Sequence, residues 1–161
     1  MNIQDKAQQF AISKHGNQKY GVHPYSYHLN YVVNILTEYG YGEDGAIISA
    51  GWLHDTIEDT NTTHAMLVLE FNKEIADIVW AVSSEPGENR QAKFRNTSPK
   101  IISNKKALIV KLADRIANTE ASLENNPKLY QMYVKEFTLF HELLYQDNLQ
   151  KWERLIKLGQ G

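Results

Sequence analysis

The segment KKALIVKLADRIANTEASL, residues 105–123, carries the strongest helical pattern in the chain. Apolar side chains recur in it at steps of three and four residues, which is the spacing of one helix face. They are Ala107, Leu108, Val110, Leu112, Ala113, Ile116 and Ala117. The segment therefore predicts a long helix. The segment over 44–59 is apolar on most of its sides, as expected of a central buried helix.

The same periodicity extends outward from residues 105–123 in both directions, and no stretch predicts a convincing strand. Further helices are predicted over 3–15, from Pro24 to Gly40, over 44–59, from Thr62 or Thr63 to Phe71, and over 73–83, 128–145 and 148–158. After residue 89 the chain is expected to be helical up to Phe94 and broken by Pro99. We predict an all-α single domain over 1–161, a bundle of about eight to ten helices, with residues 126–161 covering the core.

Composition excludes several classes of protein. A hydrophobic content of 42% argues against intrinsic disorder. The absence of cysteine excludes disulfide scaffolds, cysteine nucleophiles and thiolate metal sites. No apolar stretch approaches the roughly 20 residues that span a bilayer, and the N-terminus lacks the apolar core of a signal peptide. We therefore expect a cytoplasmic protein with no membrane partner.

The net charge of −2 conceals an uneven distribution. From Arg90 to Lys111 the chain carries seven Lys and Arg and no Asp or Glu, which leaves −9 for the rest. The near-neutral total argues against nucleic acid as a partner. The basic segment itself allows two interpretations, a surface that faces a phosphate or a solvated basic face.

The first chemical motif is WLHDTIEDT, residues 52–60. On one continuous helix, residues four apart share a face, so His54 would lie above Glu58 and Asp55 above Asp59. Burying these groups is costly unless they are paired or bind a metal, and imidazole and carboxylate both suit a divalent cation. The alternative is a helix end that emerges into water with both acidic side chains solvated.

Two further segments add ionisable side chains to this motif. KLADRIAN, residues 111–118, places Asp114 and Asn118 one helical turn apart, with Asp114 on a face of small residues. An ion pair of Asp114 with Lys111 or Arg115 is the alternative. His28 follows PYSY, residues 24–27, and a hydrogen-bonded core histidine is its simpler interpretation.

Taken together, the three segments resemble the HD superfamily of metal-dependent phosphohydrolases. More narrowly, they resemble the (p)ppGpp hydrolase domains of RelA/SpoT-type enzymes and their small stand-alone relatives, such as the metazoan SpoT homologues. The resemblance spans roughly residues 7–120 and also rests on Phe10, Ala11, His15, Gln18, Gly21, Pro24 and Tyr25. It implies an HD-domain helical bundle with one metal site.

The resemblance implies a role for each candidate residue. The metal ligands would be His28, His54, Asp55 and Asp114. The metal is usually Mn²⁺ in this family, although two imidazoles and two carboxylates also suit Fe²⁺ or Zn²⁺. Glu58 and Asp59 match the pair that positions and deprotonates the attacking water. Asn118 matches a residue that contacts the nucleotide.

The implied substrate is ppGpp or pppGpp, from which the family removes the 3′-pyrophosphate. Arg90, Lys93 and Arg95 are the expected phosphate contacts. Where the family usually has an arginine that contacts guanine, this chain has Lys19 followed by Tyr20. We expect Lys19 to contact a phosphate and Tyr20 to stack on the base. Because these changes concern nucleotide recognition, NADPH or another alarmone remains an alternative substrate. A non-catalytic nucleotide-sensing module is an alternative of another class.

The remaining candidate side chains receive simpler interpretations. Arg115 is expected to pair with carboxylates beside the site, and His15 either to support the site or to serve structure. Solvent exposure is expected for His23 and His64, and no role is assigned to His141. The aromatic residues after Pro127 either cover the core or form an oligomer interface, so the choice between monomer and homo-oligomer stays open.

Overall fold

The computed structural model describes residues 1–146 and 151–159, and helices make up most of this part of the chain. They are α1 (Ile3–His15), α2 (Ser26–Leu36), α3 (Gly45–Leu53), α4 (Thr56–Asp59), α5 (His64–Glu70), α6 (Lys73–Val82), α7 (Arg90–Ile102), α8 (Lys105–Asn125), α9 (Pro127–Leu144) and α10 (Lys151–Gly159). A π-helical turn, Thr37–Tyr41, follows α2. The all-α prediction is confirmed. Of the predicted last helix, residues 148–150 lie outside the described residues.

A short hairpin between α1 and α2 was not predicted. Strands β1 (Lys19–Tyr20) and β2 (His23–Pro24) pair antiparallel around a turn in which Gly21 has a φ of +62°. The backbone N–H of Tyr25 donates to the carbonyl of Gln18 at 3.0 Å, which extends the ladder. Pro24 therefore ends a strand, and the prediction that it begins the second helix is wrong by two residues.

Helix α7 continues through Pro99, contrary to the predicted break. A proline in a helix removes the N–H that would bond the carbonyl four residues earlier, here that of Arg95. The Ser98 hydroxyl donates to that carbonyl at 3.2 Å instead. The local compensation keeps the segment helical to Ile102.

The predicted helix over 44–59 is divided into α3 and α4. The His54 Nδ1 atom lies 2.8 Å from the carbonyl oxygen of Gly51, and the Thr56 hydroxyl donates to the carbonyl of Leu53 at 2.7 Å. Between the two helices Asp55 adopts a φ of −101° and a ψ of 2°. Side-chain hydrogen bonds to backbone groups of this kind compete with helix continuation. The prediction of one continuous helix is wrong.

The long helix α8 lies at the centre of the bundle and contacts α2, α3, α6, α7, α9 and α10. A close approach of α3 to α2 is allowed by Gly51, where an added Cβ would lie 2.9 Å from Leu36 Cδ1 and 3.2 Å from Val33 Cγ2. This approach brings the segments that carry His28 and His54 together. None of the described helices has the length and apolar character needed to cross a membrane.

The C-terminal helices α9 and α10 bury Phe140, Leu144, Trp152 and Leu155 against the core. Lys151 is buried with them, and only 1% of its surface is exposed. Its Nζ lies 4.3 Å from the centroid of the Tyr41 ring and 3.3 Å from the hydroxyl of that residue. Burial lowers the pKa of Lys151 to about 8.

Replacing Lys151 with methionine is expected to stabilise the protein by about 1 kcal/mol at pH 7, allowing for solvent screening. Below pH 8 the amine is charged in the folded and the unfolded chain, so the cost of burying the charge is present in full. Between about pH 8 and the unfolded pKa of ~10.4 the folded amine loses its proton first and this cost fades. Urea unfolding at pH 7 and at a more alkaline pH measures both effects.

The matched control is Lys128→Met on the exposed side of α9, for which no gain is expected. A Lys151→Met protein that is less stable than the wild type at pH 7 would contradict the prediction. That outcome would mean that the contacts of the ammonium group with the tyrosine rings outweigh its desolvation.

Candidate active site

Four side chains from three separate segments converge beside α8. His28 comes from α2, His54 and Asp55 follow α3, and Asp114 lies on α8. Each offers one ligand atom, and these atoms all lie within 4.8 Å of one another. The structure thus brings together the four residues that were expected to ligate a metal.

The donor set of this cluster fits a divalent cation. The Nε2 atoms of His28 and His54 lie 3.3 Å apart, and His28 Nε2 is 3.0 Å from Asp114 Oδ1. His54 Nε2 is 3.1 Å from Asp55 Oδ2. Two imidazole nitrogens and two carboxylate oxygens directed at one point form a ligand set that suits Mn²⁺, Fe²⁺ or Zn²⁺.

Neighbouring groups hold three of the four ligands in place. The contact of His54 Nδ1 with the carbonyl of Gly51 turns its Nε2 toward the cluster. The Tyr25 hydroxyl donates to Asp55 Oδ2 at 2.6 Å, and the Asn118 amide donates to Asp114 Oδ1 at 3.1 Å. Such partners orient metal ligands and are part of a working site.

The cluster shifts the pKa values of its members in opposite directions. Burial alone would lower the pKa of His54, but the carboxylates of Asp55 and Asp114 outweigh it and raise that pKa well above its usual value. Burial opposes ionisation of both carboxyl groups, yet the nearby imidazoles lower the pKa of Asp55 to about 2 and that of Asp114 well below its usual range. The two carboxylates therefore favour a proton on His54 when no cation is bound.

The affinity of metal-free protein for a divalent cation such as Mn²⁺ is expected to rise with pH between 6 and 8, by up to about tenfold per unit, because a proton leaves as the cation binds. The proton to be displaced is the one that the raised pKa holds on His54. Calorimetric titrations in buffers of different ionisation enthalpy count the released protons. An affinity that stays constant over this range would contradict the account.

The cluster opens into a pocket of about 520 Å³. Its lining includes His54, Asp55 and Asp114, together with Glu58 and Asp59 from α4. Helices α7 and α9 contribute Arg90, Lys93, Phe94, Tyr133, Glu136 and Phe140. The pocket thus combines acidic side chains with cations and aromatic rings.

Glu58 and Asp59 line the pocket, but the single continuous helix that was predicted to place them there is absent from this part of the structure. They lie on α4 and not on one helix with His54, although the backbone N–H of Asp59 still donates to the carbonyl of Asp55 at 3.0 Å. The backbone N–H of Ser84 donates to Glu58 Oε1 at 2.6 Å, and the side-chain amide of Gln18 donates to Asp59 Oδ2 at 3.0 Å. Both carboxylates remain exposed and open to the pocket.

The basic segment is divided by the fold. Arg90, Lys93 and Lys111 line the pocket, whereas Arg95 is exposed and is not among the lining residues. Lys100 and Lys106 form ion pairs with Glu85, Asp44 and Glu74 outside the pocket. The phosphate-facing interpretation therefore applies to part of the segment, and the solvated interpretation fits Arg95.

Glu136 on α9 links two arginines at the pocket wall. Its carboxylate accepts from Arg90 Nε at 2.7 Å and Nη2 at 3.0 Å, and from Arg115 Nη1 at 2.8 Å. Arg115 thus pairs with a carboxylate beside the site, as expected. Sequence reasoning missed Glu136 and Tyr133, because they lie beyond residue 120 in a stretch whose only visible signal is an aromatic periodicity.

Neither Lys19 nor Tyr20 of the hairpin lines the pocket. Lys19 is exposed. Tyr20 stacks on His28 at a centroid distance of 4.7 Å, and its hydroxyl donates to Asn118 Oδ1 at 2.7 Å. Tyr20 therefore supports the cluster in this structure and is not presented as an open surface for a base. Asn118 does line the pocket.

The other histidines lie elsewhere. His64 pairs with Asp77 at 2.8 Å on the surface, and His23 stacks on Tyr27 at a centroid distance of 4.0 Å. His141 packs against Trp152. None of these three lines the pocket.

Comparison with known proteins gives a consistent set of matches. A family model described as an HD domain matches residues 7–143. The guanosine-3′,5′-bis(diphosphate) 3′-pyrophosphohydrolase MESH1 of Xenopus tropicalis is 35% identical over 119 residues, which cover 70% of this chain and 65% of that protein. MESH1 of Danio rerio is 36% identical over 116 residues, covering 68% of this chain and 63% of that protein.

A bacterial relative and a solved structure extend the comparison. The guanosine-3′,5′-bis(diphosphate) 3′-pyrophosphohydrolase of Aquifex aeolicus (strain VF5) is 33% identical over 124 residues, covering 71% of this chain and 17% of that protein. The chain spans less than two thirds of the length of these three relatives. The solved structure of a metazoan orthologue of SpoT that hydrolyses ppGpp superposes with a TM-score of 0.86 at 21% identity, covering 99% of this chain and 95% of that one.

Proposed function

The chain belongs to the HD-domain family, and from that premise we propose that it is a metal-dependent phosphohydrolase that removes the 3′-pyrophosphate from ppGpp or pppGpp. The observation that carries the proposal is the convergence of four ligand-type side chains, three of which line one pocket together with Glu58 and Asp59. The pyrophosphohydrolases of frog, zebrafish and Aquifex, to which the chain is similar, support the choice of substrate.

The residues proposed to hold the cation are His28, His54, Asp55 and Asp114. Mn²⁺ is the proposed metal, since the ligand set suits it and the family usually uses it. A divalent cation in this position acidifies water and neutralises phosphate charge. The Tyr25 hydroxyl and the Asn118 amide keep the two carboxylates directed at the cluster.

Glu58 and Asp59 are proposed to take the proton from the attacking water. Both carboxylates are exposed to the pocket, and each has one fixed hydrogen-bond donor that restrains its position. Positioned bases of this kind contribute about 100- to 10,000-fold to a hydrolytic rate. In the proposed reaction, the water oxygen forms a bond to the phosphorus on O3′ and the P–O3′ bond breaks. The proton taken from the water is returned to O3′, so that ppGpp gives GDP and pyrophosphate, and pppGpp gives GTP and pyrophosphate.

Cations in the pocket are proposed to bind the phosphate groups. Lys93 and Lys111 line the pocket, and Lys111 Nζ lies 3.5 Å from Asp114 Oδ2 at the edge of the cluster. Charge on the phosphoryl oxygens increases toward the transition state, so fixed cations there favour reaction. Arg90 contributes from the wall, where Glu136 fixes its orientation. The Asn118 amide is the proposed contact for the nucleotide.

The proposed substrate-binding set also includes Arg95, Lys19 and Tyr20. These three side chains can contact the substrate only if they move when it binds. Arg95 and Lys19 are exposed outside the pocket lining, and Tyr20 is engaged with His28 and Asn118. For this reason the same metal chemistry on NADPH or another alarmone is the second candidate function. The lack of cysteine fits a reducing compartment, and we place the enzyme in the cytoplasm without a nucleic-acid partner.

Incubating the purified protein and Mn²⁺ with a nucleotide panel tests the proposal. The panel contains ppGpp, pppGpp, NADPH, an adenosine alarmone and GTP, and each reaction is run with and without a chelator. We expect chelator-sensitive release of pyrophosphate from ppGpp and pppGpp. Phosphate release from NADPH alone would favour the second candidate, and no turnover of any member would favour the nucleotide-sensing module.

A further inference from the structure

We propose that Gln18 and His15 form a positioning relay that fixes the carboxylate of Asp59 in the pocket. The inference rests on the proposed function, in which Asp59 handles the proton of the attacking water. Neither relay residue lines the pocket. Both are therefore positioning residues that act through Asp59.

Asp59 needs an external restraint. It ends α4, a helix of four residues, and its side chain is exposed. An exposed carboxylate in such a position would sample several rotamers. Within the described residues, the one side-chain hydrogen bond that Asp59 accepts comes from Gln18 Nε2 at 3.0 Å. Gln18 is thus the group that selects the orientation of this carboxylate.

The amide of Gln18 must itself be held in one of two orientations. An ionised carboxylate only accepts hydrogen bonds, so the NH₂ group has to face Asp59 and the carbonyl oxygen has to face away. That oxygen, Oε1, lies 2.8 Å from His15 Nδ1. The contact is a hydrogen bond only if Nδ1 carries the proton. The tautomer of His15 therefore determines which end of the amide meets Asp59.

The surroundings of His15 favour this tautomer. The ring is buried, and its Nε2 has no hydrogen-bond partner among the described residues. A proton on Nε2 would bury an unpaired N–H, which costs about 1–3 kcal/mol. With the proton on Nδ1, Nε2 is a bare acceptor and the N–H is satisfied by Gln18. The environments of both nitrogens therefore favour the tautomer that the relay requires.

The ring of His15 is fixed by a second contact. It stacks on Tyr25 with a centroid distance of 4.6 Å and an interplanar angle of 27°. Tyr25 is also the residue whose hydroxyl donates to Asp55. The end of α1 and the hairpin that follows it therefore brace two acidic side chains of the site, one of them through the relay.

Kinetics on two variants test the relay. Gln18→Met removes the amide at nearly constant volume, and His15→Phe keeps a ring to stack on Tyr25 but removes Nδ1. Each is expected to lower kcat for pyrophosphate release from ppGpp by about 10- to 100-fold, with KM and bound Mn²⁺ unchanged. Because both substitutions break one chain, the double variant is expected to be no slower than the slower single variant.

Gln18→Glu adds a readout that a purely structural role would not move. A second carboxylate facing Asp59 disfavours its ionisation, so the acidic limb of the pH–rate profile is expected to shift to higher pH. Gln9→Met, an exposed glutamine on the same helix, is the matched control and should leave kcat unchanged. Unchanged kcat in Gln18→Met, or effects that add in the double variant, would overturn the relay.

A measurement without turnover separates the relay from the proposed function. Nitrogen NMR of the His15 ring in metal-stripped protein is expected to show Nδ1 protonated and Nε2 bare, and Gln18→Met is expected to change that balance. A ring protonated at Nε2 would overturn the relay whatever the activity. An inactive wild-type protein with the expected tautomer would overturn the proposed function and leave the hydrogen-bonded chain standing.

Discussion

Asp114→Asn is expected to lose bound Mn²⁺ and to lower ppGpp hydrolysis by about 1,000-fold or more, equivalent to ~4 kcal/mol of transition-state stabilisation. The substitution keeps the shape of the side chain and removes one of the two anionic ligands of the cluster. It also removes the charge that faces His54, whose Nε2 is 3.3 Å from Asp114 Oδ1. Metal content after dialysis and initial rates measure the two losses.

Asp77→Asn is the matched control for this substitution. Asp77 also pairs with a histidine, since His64 Nε2 is 2.8 Å from Asp77 Oδ1, but this pair lies on the surface. The control should keep full metal content and turnover. Asp114→Asn protein that folds with the wild-type melting temperature, retains its Mn²⁺ and hydrolyses ppGpp normally would show that Asp114 is not a ligand.

Glu58→Gln is expected to lower kcat by about 100- to 10,000-fold while bound Mn²⁺ stays at the wild-type level. Glutamine can still accept the hydrogen bond from the Ser84 backbone through its carbonyl oxygen, so the position of the side chain is preserved. It has no carboxylate to take a proton from water. The expected separation of turnover from metal content assigns Glu58 to proton transfer and not to metal ligation.

Two comparisons make the Glu58 result specific. Glu88→Gln changes an exposed glutamate in the loop before α7 and should leave turnover unchanged. Asp59→Asn is measured in parallel, and the loss of kcat in each variant shows how much each carboxylate contributes to proton transfer. Wild-type turnover in Glu58→Gln together with a large loss in Asp59→Asn would leave Asp59 as the only proton acceptor of the pair and contradict the role proposed for Glu58.

The part of the site that could be predicted is the part that local motifs carry. His28, His54, Asp55 and Asp114 were chosen from three short segments, and the fold brings them within 4.8 Å of one another. An apolar helix with ionisable residues at one end is unusual, so such residues are visible in a sequence as candidates. The apolar helical period likewise predicted the all-α fold. It did not predict the central position of α8, since the segment over 44–59 was expected to be the central helix.

The features that were missed depend on contacts between distant residues or on side chains that bond the backbone. The end of α3 depends on hydrogen bonds of His54 and Thr56 to nearby carbonyls, which compete with helix continuation. The continuation of α7 through Pro99 depends on the hydrogen bond from Ser98 to the carbonyl of Arg95. Glu136 reaches Arg90 across 46 residues of sequence. No periodicity in the sequence indicates such a contact. The hairpin was missed because strands of two residues are too short to show a period of alternating side chains.

The central claim is that this chain cleaves ppGpp with a single divalent cation held by the four converging side chains. Its most direct test is stoichiometric reconstitution. Metal-stripped protein is supplied with increasing Mn²⁺, and release of pyrophosphate from ppGpp is followed at each addition. We predict no release without metal and a rate that rises to a plateau near one equivalent. Release that is unaffected by stripping, or none at any Mn²⁺ concentration, would contradict the account.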